Sequence, residues 1–348
     1  MSLPTTVPAA QQVSTLRVDV LYTGGTFGMV DRGDGLGPRT GIGTEIEALL
    51  DEFVRETGIA ADFRYAEFDQ VIDSANADPD TARRIAAHVR SGLGTTPPDG
   101  VIVVHGTDTM AYVGARMAFE LRDVPMPIVL TGAQVPLGDP GSDARGNLHL
   151  ALNSIAAQPG PGTFLAFGAS LHPAVRASKR HCEDPDGFST LGDFTPPPTP
   201  PALPAARGNG TASPVGLFTV FPGMDSDLLD AALRIYHGGV VLECYGAGTM
   251  PMFGSTTIEA VRRATGRGTP VVVITQCDGG AVDLGLYQPG RALLDAGAIG
   301  GGDMTREAAL AKLAYLDGLG LSHTEMCRWM ATNLLGELSN SPSTSWSR

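Results

Sequence analysis

The sequence predicts an α/β protein in two parts: a larger N-terminal domain on a mostly parallel sheet with flanking helices, and a smaller C-terminal α/β domain. Three observations predict it. Short β-rich runs alternate with helical patterns through the first half of the chain, which is how a parallel sheet covered by helices reads in sequence. From Thr195 to Pro214 the composition turns to Pro, Ala, Gly and Thr without apolar periodicity, and the alternation then resumes. Two apolar runs end in glycine and hydroxyl residues, at the strand ends where open α/β sheets bind ligands. A chain of 348 residues exceeds one typical domain. The expected division is 13–194 for the N-terminal domain carrying the candidate chemistry, 195–214 for a Pro/Gly-rich linker or extended surface loop, and 215–348 for the smaller domain.

Taken in order, Leu16–Tyr22, Val101–His105, Ile128–Thr131 and Phe164–Phe167 read as strands of the first sheet. A helix is expected from Thr44, where Thr44 and Glu47 form a capping-box pattern and Ile46, Leu49, Leu50, Phe53 and Val54 share one face. Asp78 followed by Pro79 marks a second helix start, with Ile85 and Val89 inward. Past the linker, Val215–Phe221, Val240–Glu243 and Val271–Gln276 read as strands. Helices are expected near Asp225–Tyr236, Thr257–Ala264 and Thr305–Leu316, and the polar tail Ser339–Arg348 reads as frayed.

Composition narrows the function classes. Lys plus Arg is 24 against 37 Asp plus Glu, a net charge of −13, and the basic residues form no long run, which disfavours nucleic acid and anionic membrane as partners. Cys182, Cys244, Cys277 and Cys327 are widely spaced without a CxxC pair, as expected in a reducing compartment. Met1–Gln12 has neither a basic start nor an apolar core, so it does not read as a secretory signal. No apolar run approaches the ~20 residues that span a bilayer. Neither GxGxxG nor GxxxxGK[ST] occurs, which argues against nucleotide binding, and there is no GxSxG elbow. His172, His181 and Cys182 lack a second ligand pair, so no metal is expected.

The two hydroxyl-bearing strand ends carry the chemistry. Leu16–Tyr22 runs into Thr23-Gly24-Gly25-Thr26, and Val101–Val104 into His105-Gly106-Thr107-Asp108-Thr109-Met110. Together with Thr131-Gly132-Ala133-Gln134, Ser142-Asp143, Thr275-Gln276-Cys277 and Ala298–Met304, in this order, these segments resemble the bacterial L-asparaginase family of Thr-dependent amidohydrolases, and its type I cytoplasmic branch most closely. The likeness spans nearly the whole chain. It implies a two-domain asparaginase-like fold, a cytoplasmic location, no cofactor, and conversion of L-asparagine and water to L-aspartate and ammonia through a Thr acyl-enzyme. It also implies a homodimer or homotetramer, since sites of this family are completed by a neighbouring subunit.

Amide hydrolysis needs a nucleophile, a route for its proton, and donors for the developing oxyanion. Thr26, exposed by a glycine turn, matches the family's nucleophile; the alternative is a β-branched residue closing a strand. Thr107 and Asp108 resemble the family's second hydroxyl and its carboxylate. Lys179, in Arg176-Ala177-Ser178-Lys179, resembles the lysine that completes the set, although alone it would read as a surface charge. Ser74 aligns with the serine that holds the substrate α-carboxylate, and its other reading is a helix-start signal before Pro79. The resemblance also gives Thr107 and Asp108 substrate contacts, with Asp108 meeting the α-ammonium. His105 reads as a strand-end structural residue.

One position departs from the family pattern. Where the family carries a lid tyrosine a few residues before a proline, this chain reads Gly35-Leu36-Gly37-Pro38, in a glycine-rich lid from Arg32 to Gly43 that is expected to move. Leu36 cannot donate a hydrogen bond. The openings are a lid that aligns differently, a substitute hydroxyl such as Thr40, or activity that is slow or directed at another amide. The rival readings are therefore an amidase or glutaminase acting on a related side-chain amide and a catalytically weak amino-acid-binding homologue. The amidotransferase component that resembles asparaginases is less favoured, for want of an added N-terminal domain and basic RNA-binding features.

Overall fold

The computed structural model describes residues 15–207, 213–252 and 256–339. The readings of Met1–Gln12 and of the tail beyond Ser339 lie outside them. Six strands form the first sheet: β1 (Leu16–Gly24), β4 (Ala61–Ile72), β5 (Gly100–Val104), β6 (Pro127–Thr131), β7 (Gly162–Phe167) and β8 (Ser170–Pro173), in the order β4-β1-β5-β6-β7-β8. All neighbours are parallel except the β7/β8 pair. A small hairpin of β2 (Val30–Asp31) and β3 (Leu36–Gly37) follows β1, and a second, of β9 (Ala177–Lys179) and β10 (Phe188–Thr190), follows β8.

Side-chain alternation along the central strands sends successive residues to opposite faces. Val18, Val20 and Tyr22 of β1 pack with Ile102 and Val104 of β5 against Ile46, Leu50 and Phe53 of α1 (Gly43–Thr57) and Leu148 and Leu152 of α4 (Ala144–Ala156). Leu21, Val101 and Val103 face the other way, onto Ile85 and Val89 of α2 (Thr81–Gly92) and Met110 and Met117 of α3 (Met110–Glu120). Leaving β1 the chain therefore crosses one face to β4, then the other face to β5. This makes the gap between the ends of β1 and β5 the topological switch point of the sheet.

The second sheet is fully parallel, β11 (Val215–Thr219), β12 (Gly239–Cys244), β13 (Val271–Thr275) and β14 (Ile299–Gly300) in sequence order. The helices α5 (Ser226–Ile235), α6 (Thr256–Gly266) and α7 (Gln288–Asp295) share one apolar cluster, and α8 (Arg306–Gly318) and α9 (His323–Met330) lie in the other. The same cluster takes in Ala115, Ala118 and Phe119 of α3, so α3 and α8 join the two halves; Phe119 stacks on Tyr315 with ring centroids 5.8 Å apart. Residues 195–207, without regular secondary structure, are tied down by Arg122 to Pro201 O and by the Arg207–Glu325 ion pair.

Two helix starts differ from the sequence reading. α1 begins at Gly43 with Ile42 as its N-cap and no side-chain cap, so the Thr44–Glu47 box does not form. Ile42 and Ile46 are both fully buried, and their packing sets the start in place of the cap. α2 begins at Thr81, not beside Pro79; the Asp78 carboxylate accepts from Asp80 N and from Thr81 Oγ1, making a turn that precedes the helix.

Candidate active site

The glycine turns are what bring the switch-point residues together. Gly25 has φ +84°, and a Cβ there would sit 2.3 Å from Gly106 Cα, so the turn after β1 abuts the turn after β5 backbone to backbone. A Cβ on Gly106 would in turn lie 2.4 Å from Ser74 Oγ. Thus Thr26, Ser74 and Thr107, read from three separate segments, sit on contiguous turns. Thr26 opens a 3-10 turn, Thr26–Gly28, and is partly exposed, with no hydrogen bond from its hydroxyl to any described residue. Ser74 is buried in the turn Ser74–Asn76 that ends β4, capped by Asp73, and it does not start α2. Thr109 Oγ1 donates to Ser74 O at 3.0 Å, a further tie between the β4 and β5 ends.

Lys179 arrives from elsewhere in the chain, on the short β9/β10 hairpin. Its Nζ donates to Thr107 Oγ1 at 2.8 Å and to Asp108 Oδ1 at 2.7 Å. The Asp108 side chain is 64% exposed, so the pair adds at most about 1 kcal/mol of stability, and its consequence is placement of the ammonium. The residues flanking Lys179 are anchored to the C-terminal half. Arg176, fully buried, donates to Gly336 O, Asp303 O and Asp303 Oδ2, while Ser178 Oγ donates to Glu307 Oε1 at 2.9 Å. Burial pushes the Glu307 carboxyl up, against the Ser178 hydrogen bond. The fixed guanidinium and the Glu307 contact hold the hairpin that carries Lys179.

His105 is excluded as a base reaching substrate. It is completely buried, its Nδ1 lies 2.8 Å from Thr23 Oγ1, and the Thr23 proton is already committed to Val104 O at 2.9 Å. Nδ1 therefore carries the imidazole hydrogen and donates it to Thr23. Burial pulls the His105 pKa down to about 4, and its Nε2 has no partner among the described residues. The β2/β3 hairpin holds Leu36 out in solvent, 51% exposed, with Asp31 as its cross-strand partner. Thr40 is likewise exposed.

The sequence reading assigned no role to Gln134, which nevertheless reaches the site: Thr107 Oγ1 lies 3.2 Å from Gln134 Oε1. Only its place in the Thr131–Gln134 segment at the end of β6 pointed toward it. Among the described residues no group of His, Cys, Asp and Glu is arranged to hold a metal, and no helix is long and apolar enough to cross a membrane.

Comparison with known proteins gives two family matches, "Asparaginase, N-terminal" over residues 17–196 and "Glutaminase/Asparaginase C-terminal domain" over 214–330. L-asparaginase 1 of Escherichia coli strain K12 is 35% identical over 338 residues, covering 92% of this chain and 97% of that protein. The thermostable L-asparaginase from Thermococcus kodakarensis superposes with a TM-score of 0.80 at 32% identity, covering 94% of this chain and all of that one. A component of the glutamyl-tRNA(Gln) amidotransferase of Aeropyrum pernix is 34% identical over 270 residues, 69% of this chain and 61% of that protein.

Proposed function

Because the chain belongs to the asparaginase family and is an asparaginase-like amidohydrolase, we propose that it hydrolyses L-asparagine with Thr26 as nucleophile and Thr107, Asp108 and Lys179 as its partners. The observation that carries the assignment is the Lys179 ammonium bonded at once to Thr107 and Asp108, beside the turn that exposes Thr26. Thr26 Oγ1 attacks the side-chain amide carbon; its proton passes to the amide nitrogen, which departs as ammonia and leaves an acyl ester on Thr26. Water then adds to the ester carbon, and its proton returns to Thr26 Oγ1 as L-aspartate is released. Thr107, held by Lys179, orients the hydroxyl and then the water, and the lysine beside the Asp108 carboxylate keeps the hydroxyl polarised and relays a proton. Ser74 holds the substrate α-carboxylate, and Asp108, with one oxygen on Lys179, offers the other to the α-ammonium.

The departure at Leu36, where the family carries a lid tyrosine, keeps a second reading, an amidase or glutaminase acting on a related side-chain amide. The relatedness to an amidotransferase component widens the set of amides worth testing. Ammonia release from L-asparagine, L-glutamine and N-substituted amides separates these readings. Fastest turnover of L-asparagine supports the proposal, and preference for a larger amide supports the second reading. Folded protein that binds L-aspartate without releasing ammonia from any amide would be a binding homologue.

A further inference from the structure

The two segments Thr131–Gln134 and Ser142-Asp143 have no part in the chemistry above, yet the structure joins them directly behind Thr107. Both carboxylate oxygens of Asp143 accept from Gln134 N, at 2.9 and 3.0 Å, and Oδ1 also accepts from Val135 N at 3.0 Å. Asn147 Nδ2 donates to Asp143 Oδ2 at 2.9 Å, which holds the carboxylate from the α4 side. The Gln134 backbone is thus fixed on a strand end, and its side chain extends to Thr107.

The orientation of the Gln134 amide follows from its second neighbour. Nε2 faces the Asp184 carbonyl oxygen at 3.4 Å, and a carbonyl can only accept, so the amine end must point there and Oε1 toward Thr107. The Thr107 hydroxyl has one proton. Lys179 Nζ only donates to it, so that proton goes to Gln134 Oε1. The rotor is then fixed with one lone pair on Lys179 and the other unused.

We propose that Gln134 is a positioning residue, which fixes the Thr107 hydroxyl so that its free lone pair is presented to the incoming nucleophile. The inference rests on the proposed amidase chemistry only for what the lone pair does; the hydroxyl direction is independent of it. The loop 180–187 that supplies the Asp184 carbonyl is itself closed by Arg180 N to Gly187 O and pinned by the Arg180–Asp278 ion pair. Gln134 therefore also links Thr107 to the second half of the chain.

Two substitutions separate orientation from the loop link. Gln134→Met removes both contacts at similar size; Gln134→Glu keeps an acceptor for Thr107 but loses the donor to Asp184. Gln134→Met is expected to lower kcat on L-asparagine roughly 2- to 13-fold, the worth of one hydrogen bond, with KM within about 2-fold of the parent. Gln134→Glu is expected to recover most of that loss at neutral pH. An unchanged kcat in Gln134→Met, or a Gln134→Glu as impaired as Gln134→Met, would overturn the proposal. A readout independent of turnover is the Thr107 methyl resonance in threonine-labelled protein, which should shift in Gln134→Met and remain close to the parent in Gln134→Glu. If the parent releases no ammonia but the methyl signal behaves this way, the amidase reading fails and the positioning stands; an unmoved signal in Gln134→Met defeats the positioning.

Discussion

Lys179 and Thr107 lie 72 residues apart in the chain and are joined by a 2.8 Å hydrogen bond from ammonium to hydroxyl. The bond ties the β9/β10 hairpin to the switch point of the first sheet, so that the lysine meets the hydroxyl and the carboxylate that follow β5.

Loss of Lys179 or Thr107, or of Thr26 on the adjoining turn, should be felt at the chemical step. Thr26→Ala, Thr107→Ala and Lys179→Met are each expected to lower kcat/KM by at least ~10²-fold with the circular dichroism spectrum unchanged. Near-parent turnover in a folded variant would remove that residue from the mechanism.

The abutting turns make a sharper structural prediction. Gly106→Ala places a methyl 2.4 Å from Ser74 Oγ and 2.6 Å from Ser74 Cβ, where no flexible chain end can yield. It should destabilise the fold by about 1–3 kcal/mol and, on the proposed role of Ser74 in holding the substrate carboxylate, raise KM more than it lowers kcat. Urea unfolding together with steady-state kinetics tests this, and an unaltered KM would mean that Ser74 does not hold substrate.

Burial of His105 predicts an acid-side weakness. Its pKa is about 4 in the fold against an ordinary 6.5, so the unfolded chain takes up the proton first as pH falls. This group's contribution is complete above pH 6.5 and is lost progressively toward pH 4, by about 3 kcal/mol over the window. His105→Asn should flatten the fall in urea midpoint between pH 7 and pH 4.5. Equal slopes for the two proteins would place the acid sensitivity elsewhere.

Leu36, where the sequence departs from the family pattern, is the proposed lever on specificity. Modest activity on L-asparagine is expected, with a roughly 2- to 13-fold gain in kcat/KM for Leu36→Tyr, the worth of one added hydrogen bond, and a loss on any bulkier amide the parent prefers. The comparison is made over one amide panel. Ratios that do not change would mean that the lid hydroxyl comes from another residue.

The family resemblance leads us to expect at least a homodimer, with each site completed by the neighbouring subunit. Sedimentation run at assay concentration should find no active species of 36.1 kDa. An active monomer would defeat this.

Some of the fold was legible because its physical cause is local. The strands ending at Gly24 and Val104 are apolar runs broken by glycine, and the amphipathic face of α1 carries Ile46, Leu50 and Phe53 inward as its period requires. Other elements left weaker marks. β4 is an edge strand, half-exposed and rich in charge, so it shows no apolar run. α3 is buried on nearly every face because it lies between the two halves, and a helix without a polar side shows no amphipathic period. The start of α9 carries a readable box, Ser322 with Glu325, but the helix behind it is only 8 residues long and too short to repeat an apolar period.

The sequence by itself determined the family, the sheet-and-helix alternation and the chemical types at the strand ends, because turn glycines, apolar periods and hydroxyl placement are properties of adjacent residues. Only the tertiary structure decided which of these groups meet. The contact of Lys179 with Thr107 and Asp108 depends on Arg176 being held by Asp303 and Gly336, more than a hundred residues downstream. The direction of the Gln134 amide depends on a carbonyl from the 180–187 loop. Such contacts arise from the packing of distant segments, and the order of residues along the chain carries no local trace of them.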